Sequence, residues 1–369
     1  MELNYIYLIV AMLCAGLISF TMTPVARVIA YKVGAIDVPK DDRRMHKTPI
    51  PRLGGLAVFA GFSVASMVFC DLSRSIISFW FGGLIIVTLG MLDDIFRLNA
   101  LIKFAVQIAA ALIPISQGYT IEFINLFGNY ITLGALEIPV TILWIVGLTN
   151  AINLIDGLDG LSCGISAICS LALLLCTILL GDNMEITLLT GILAGSCLGF
   201  LPFNTNPAKI FIGDTGALFL GYTLSILSLQ GLFKTHTILS FMIPLSIFGL
   251  PLFETVFSFL RRIAHGKNPF KADRGHLHHR LIDLGFNQKQ SVGILYSVCG
   301  ILGTSAVMFT GENLLRAGII IIAGFAVFIT NYFLMKNPKT REQAGITMPP
   351  PAAPVNADIP DENKTDGTS

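Results

Sequence analysis

Long apolar runs alternate with short polar clusters along nearly the whole chain. A membrane-spanning helix needs ~20 consecutive apolar residues. By that measure the runs predict about eleven spans, near 4–30, 54–70, 76–92, 101–118, 138–155, 160–180, 186–203, 215–233, 238–260, 291–309 and 316–335. Gly, Pro, Ser and Thr inside several runs are tolerated when helices bundle in lipid. Between the fourth and fifth runs, residues 119–137 hold two β-leaning stretches around Phe127-Gly128-Asn129. That pattern predicts a short hairpin. From 337 onward the chain is polar and proline-rich, which predicts a disordered tail (337–369) behind a single integral-membrane domain (1–336).

Lys and Arg orient these spans. With the 31–53 loop placed in the cytoplasm, only Arg74, Lys234 and Arg316 of the 24 basic residues fall on the opposite side. The positive-inside rule then predicts a periplasmic N-terminus, a periplasmic hairpin and a cytoplasmic C-terminus. Every polar cluster follows an odd-numbered run, so all share the cytoplasmic side. They are Asp41 to Gly55, Asp93-Asp94 with Lys103 beyond, Asn150 to Leu161, Asn204 to Gly216, and Asp273 to Arg280. Taken singly each has an ordinary reading: a solvated helix end, a helix cap, a turn, a basic surface loop, a topogenic signal. Their common sidedness favours a shared site.

Composition narrows the class. The chain is 54% hydrophobic and 13% charged, with a mean hydropathy of +0.74. Soluble domains carry about 25% charged residues, so this is an all-α polytopic membrane protein. A net charge of +1 gives no bulk attraction for nucleic acid. The seven cysteines form no C-x-x-C pair and sit in or beside apolar runs, where they read as small hydrophobes. The first run lacks a basic leader, unlike a cleaved signal.

Carboxylates contributed by several loops suit a hard divalent cation such as Mg²⁺, which takes few protein oxygens and leaves room for phosphate. Glycines beside Asp156, Asp159 and Asp214 let backbone approach an anion, and a helix N-terminus after Asp214 or Asp159 adds a favourable dipole. Arg274, His276, His278 and His279 can clamp phosphate charge, with Lys47, Lys103 and Lys209 as further basic candidates. Together these residues suit phosphoryl transfer at a membrane surface between a lipid-borne and a soluble reactant. The residues alone do not name a sugar. A transporter would place its ionisable groups near mid-span at broken helices, and here they lie at span ends.

Five motifs, in order, resemble the polyprenyl-phosphate N-acetylhexosamine-1-phosphate transferases: His46-Lys47-Thr48-Pro49 before Gly54-Gly55, Asp93-Asp94, Asn153 to Gly160, Asn204 to Gly216, and His276-Leu277-His278-His279. The last motif favours the undecaprenyl-phosphate N-acetylglucosamine-1-phosphate branch, because Leu277 interrupts the run of adjacent histidines expected of phospho-N-acetylmuramoyl-pentapeptide transferases. The resemblance implies a bacterial inner-membrane enzyme that converts UDP-N-acetylglucosamine and undecaprenyl phosphate to undecaprenyl-diphospho-N-acetylglucosamine and UMP. This would be the first membrane step of a cell-envelope polysaccharide. It implies Mg²⁺, with Mn²⁺ expected to substitute. It further implies Asp214 as metal ligand with Asn153 as a second, and Asp93 and Asp94 as the catalytic pair, Asp93 acting on the lipid phosphate. Asp156, Asp159, Gly157 and Asn204 would stand on the nucleotide side, Lys103 by the lipid phosphate, and Lys47, Arg274, His276, His278 and His279 around the sugar diphosphate. Other UDP-N-acetylhexosamines, UDP-MurNAc-pentapeptide, a covalent two-step route and a homodimer stay open.

Overall fold

The structure is a computed structural model that describes residues 5–39, 48–126, 129–181, 183–233, 241–266 and 276–310. Twelve helices are found among them: α1 (Tyr5–Val33), α2 (Gly55–Phe69), α3 (Arg74–Phe96), α4 (Ala100–Ile115), α5 (Glu137–Ile155), α6 (Leu161–Leu180), α7 (Met184–Asn204), α8 (Gly213–Ser228), α9 (Met242–Ile247), α10 (Gly249–Ala264), α11 (Leu277–Asp283) and α12 (Gln288–Thr310). Seven segments are long and apolar enough to cross a bilayer: α1, α3, Gly134–Ile155, α6, α7, Gly213–Leu232 and α12. The chain is therefore a polytopic membrane protein. The expectation of about eleven spans is met only to that extent. α2 and α4, with 15 and 16 residues, rise only ~22–24 Å, the run at 238–260 is divided, and the 316–335 run and the tail lie outside the described residues.

The divided run shows why hydropathy alone overreads. α9 ends and α10 begins at Phe248 (φ −96°, ψ 14°). Pro251 sits in the first turn of α10, where its missing N–H costs nothing. A uniform apolar stretch thus becomes two short helices that meet at that residue.

α8 is the hub. It packs against α2, α3, α5 and α6, and almost all its residues are buried, including Phe219 and Tyr222. Small residues permit this closeness. A Cβ on Gly55 would collide with the backbone of Gly216, and one on Gly90 with the backbone of Thr215, so α2 and α3 touch the first turn of α8 without intervening side chains. Below that contact Phe62, Phe79 and Phe219 form an edge-to-face cluster. α1, by contrast, exposes Ile6, Leu13, Leu17 and Val25, the outer face that lipid would cover.

Short extended pieces complete the frame. β1 (Ile36–Asp37) pairs antiparallel with β2 (Ile50–Pro51), closing the loop after α1 and delivering Arg52 to α3. β3 (Phe123–Leu126) pairs antiparallel with β4 (Asn129–Thr132), Phe123 opposite Thr132. All seven cysteines are free thiols, five of them buried.

Candidate active site

The site assembles where α3, α4 and α8 meet. α3 stops at Arg97, a non-glycine residue at φ 54°, and Asn99 then caps α4 by accepting from the Leu101 N–H. This tight reversal folds the first turn of α4 back along the last turn of α3. Lys103 Nζ consequently lies 2.6 Å from Asp93 Oδ2 and 3.2 Å from Asp214 Oδ2. One turn further along α4, Gln107 and Asn150 of α5 exchange amide hydrogen bonds, which holds α4 against α5. Asp93 Oδ1 accepts from the Leu98 N–H at 2.7 Å.

The adjacent aspartates face different partners. Asp94 Oδ1 accepts from the Asp214 N–H at 3.0 Å; its Oδ2 accepts from the Thr215 N–H at 3.0 Å and the Thr215 hydroxyl at 2.7 Å. α8 begins without a capping side chain of its own, so Asp94 supplies the acceptor that orphan N–H groups at a helix start require. Its side chain is fully buried, and Arg52 Nε lies 3.5 Å from Oδ1. Arg52 Nη2 also comes within 3.9 Å of Asp214. Burial pulls the Arg52 guanidinium toward neutrality, but Asp94, Asp214, Asp37 and Asp156 outweigh it, and its pKa stands above the ordinary value.

Beside this cluster opens a cavity of about 490 Å³ walled by Asp37, Arg52, Asp156, Gly157, Asp159, Asn204, Asn206, Gly213, His279 and Gln288, among others. Asp156 follows α5 and accepts from the Ser162 hydroxyl at 2.6 Å. Enclosure by protein raises its carboxyl to about 7 despite that bond. Asp159 does not cap α6, whose N-cap is Gly160. It binds the strap 205–212 through Asn206 Nδ2 (2.9 Å) and the Ala208 N–H (3.0 Å). Asn204 is buried; its Nδ2 donates to the Ile210 carbonyl, while its Oδ1 has no partner among the described residues.

The histidines arrive from α11. Glu254, buried on α10, accepts from the Leu277 N–H and bonds His276 Nδ1 at 3.0 Å. The rings of His276 and His278 stack, and His278 lies against His279 with centroids 4.3 Å apart. The His278 ring presses on Gly157 so closely that no Cβ fits there. Burial, with His279 and His276 nearby, lowers the His278 pKa to about 3, so it is neutral at pH 7. Of the expected residues, Asp156, Gly157, Asp159, Asn204 and His279 line the cavity, and Asp93, Asp94, Lys103 and Asp214 form the adjoining cluster. His276 and His278 stand behind His279. Asn153 lies on the last turn of α5, and no side-chain hydrogen bond joins it to Asp214 among the described residues. Lys209 faces a different cleft. Lys47 and Arg274 lie outside the described residues. Arg52, Thr215, Asn206, Glu254 and Gln288 were not expected as site residues.

The fold and site together define a membrane-embedded protein whose acidic and basic side chains converge beside a cavity of about 490 Å³ at helix ends. Comparison with known proteins adds the lineage. The sequence profile of glycosyl transferase family 4 matches residues 76–232, which span α3 through α8. A Bacillus subtilis protein named "Probable undecaprenyl-phosphate N-acetylglucosaminyl 1-phosphate transferase" is 41% identical over 89% of this chain and 90% of its own length. The decaprenyl-phosphate N-acetylglucosaminephosphotransferase of Mycobacterium tuberculosis is 32% identical over 86% and 87%. The undecaprenyl-phosphate alpha-N-acetylglucosaminyl 1-phosphate transferase of Thermotoga maritima is 36% identical over 72% and 78%. The chain belongs to glycosyl transferase family 4.

Proposed function

We propose that the protein transfers N-acetylglucosamine 1-phosphate from UDP-N-acetylglucosamine to undecaprenyl phosphate, releasing UMP and leaving undecaprenyl-diphospho-N-acetylglucosamine in the membrane. The carrying observation is the Asp93–Lys103–Asp214–Arg52 cluster beside a roughly nucleotide-sized cavity, in a chain whose family relatives bear names for this activity. A lipid-borne monoester and a soluble diphosphate are both anionic. A site that joins them must neutralise charge at the membrane boundary, which Lys103 and Arg52 are placed to do.

The residues also suit Mg²⁺. Asp93 and Asp214 already converge on one cation, the Lys103 ammonium, and two carboxylates plus substrate phosphates are the donor set Mg²⁺ favours. Asp214 and Asp93 would hold it, and Asn153 is a weaker candidate because, among the described residues, no hydrogen bond directs its side chain there. Bound there, the ion would supply Lewis-acid stabilisation of phosphoryl charge.

In the step itself, an oxygen of the lipid phosphate attacks the sugar-bearing phosphorus and the bond to the UMP phosphate breaks, so the bridging oxygen leaves with UMP. Asp93 orients the acceptor phosphate or takes its remaining proton. Asp94 holds the first turn of α8, and with it Asp214, in place. Asp156, Asp159 and Asn204 serve the nucleotide side, Asn204 Oδ1 being an acceptor still in need of a donor, and His279 faces the diphosphate. Direct attack requires no covalent aspartyl intermediate, because a phosphate monoester is already an anionic nucleophile.

The Lys and Arg distribution supports an inner-membrane location with the site on the cytoplasmic side, a periplasmic N-terminus and a periplasmic β3–β4 hairpin. The test is UMP release by purified protein in lipid nanodiscs across a panel of UDP-sugars. Release should require undecaprenyl phosphate and Mg²⁺ and be fastest with UDP-N-acetylglucosamine. Release that ignores the lipid phosphate, or a preference for UDP-MurNAc-pentapeptide, would overturn the assignment.

A further inference from the structure

A second cleft, of about 460 Å³, opens on the other side of the strap 205–212. Its walls are the last turns of α1, the end of α7 and the strap itself. Arg27 and Lys209 supply its charge; Tyr31, Phe203, Val28 and Ile210 supply its apolar surface. Among the described residues, no wall residue is acidic and neither cation has a carboxylate within ion-pair distance. Each rests near an aromatic ring instead: the Arg27 guanidinium lies 6.0 Å from the Tyr31 centroid, and Lys209 Nζ lies 5.9 Å from that of Phe203.

Two cations over an apolar floor complement an anion that carries hydrocarbon. The surroundings say which. The cleft adjoins the outer face of α1, where Val25 and Val28 are exposed. It shares no residue with the active-site cavity, from which the fully buried Ile210 separates it. We propose that this cleft binds the headgroup of an anionic phospholipid of the surrounding bilayer, its phosphodiester held between Arg27 and Lys209 and its acyl chains along α1.

The strap gives such binding a consequence. Asn206 and Ala208 bond Asp159, Ile210 holds Asn204, and the Phe211 N–H donates to the Pro51 carbonyl beside Arg52. Lys209 therefore sits on the outer face of a segment whose inner face shapes the active-site cavity. A lipid bound at Lys209 fixes the strap and favours the competent arrangement. Lipid binding at this cleft stands apart from the transfer reaction; only the effect on turnover rests on that reading.

The experiment compares wild type with Arg27→Gln/Lys209→Gln in nanodiscs of phosphatidylcholine with increasing phosphatidylglycerol. Native mass spectrometry counts retained lipids, and UMP release reports turnover. At about a fivefold effect per cation near a membrane surface, the double variant should retain phosphatidylglycerol about twenty-five-fold more weakly. Wild-type turnover should rise with phosphatidylglycerol, while the double variant keeps its phosphatidylcholine rate throughout. Arg27→Lys/Lys209→Arg should behave as wild type, which separates charge from folding. Equal phosphatidylglycerol retention by both proteins would overturn the proposal. So would equal protection by free glycerol 3-phosphate, which would mark a soluble-anion site. A raised KM for undecaprenyl phosphate in pure phosphatidylcholine would overturn it too, by assigning the cleft to the lipid substrate.

Discussion

Replacing Asp94 with Asn separates two roles that a pair of adjacent aspartates leaves undivided. The substitution preserves shape but removes a charge that three donors share: the Asp214 and Thr215 N–H groups and the Thr215 hydroxyl. An amide has one acceptor oxygen, so whichever way it turns, its NH₂ faces a backbone N–H. A hydrogen bond to a charged acceptor contributes about 1.5–3 kcal/mol, and a negative charge at a helix start adds about 0.3–1 kcal/mol. With the side chain fully buried, water cannot replace what is lost, and the combined cost is on the order of 3 kcal/mol. The damage concentrates on the first turn of α8, which carries Asp214, and misplacing a reacting group by about 1 Å costs roughly 100-fold in rate. Asp94→Asn should therefore lower the melting temperature in detergent, speed hydrogen exchange at Asp214 and Thr215, and reduce kcat about 100-fold together. Asp93→Asn should reduce kcat while leaving exchange in α8 as in wild type. If Asp94→Asn abolished turnover with unchanged melting and unchanged exchange at those two amides, Asp94 would act on substrate and the positioning argument would fail.

Other substitutions test the remaining parts of the site. Lys103→Met removes the ammonium that bridges Asp93 and Asp214 and should cut kcat at least about tenfold; steady-state UMP release at wild-type rates would remove Lys103 from the site. The Asp156 carboxyl, raised to about 7 by burial, is the protonated form below neutrality. Activity that needs its charge should rise as pH passes 7, and Asp156→Asn should flatten that limb of the kcat/KM profile; an unchanged limb assigns it elsewhere. The same raised pKa makes the fold lose stability as pH climbs from the ordinary carboxylate range to about 7, because the folded state holds the proton the unfolded state releases. Glu254→Ala strips His276 and the Leu277 N–H of their acceptor and should raise KM for the UDP-sugar more than it lowers kcat. Glu254→Gln should recover part of the loss, and equal constants for all three proteins would refute the support argument.

What the sequence could and could not reveal follows from the range of the interactions. Hydropathy is a local signal, so it located the long helices, but length alone could not see that Pro251 and the turn at Phe248 divide one apolar run. The acidic and glycine-rich clusters were legible because they recur on one predicted side of the membrane, and the structure gathers Asp93, Asp94 and Asp214 although 121 positions separate Asp94 from Thr215. The division of labour between Asp93 and Asp94 was not legible. Neighbours on a helix point about 100° apart, and only the placement of α8 decides which one meets its N-terminus. Arg52 was hidden for a related reason: within a basic loop it counted as a topogenic charge, and the two-residue β1–β2 ladder that carries it to Asp94 is too short to leave a period. Glu254 shows the limit most clearly. It is a single carboxylate inside an apolar run, where membrane cost alone marks it as functional, yet its partners lie more than twenty residues ahead on α11. A lone carboxylate within an apolar run is thus the signal that best exposes the support of a distant loop, and the same test applied outward, to cations with no acid nearby among the described residues, is what singles out Arg27 and Lys209.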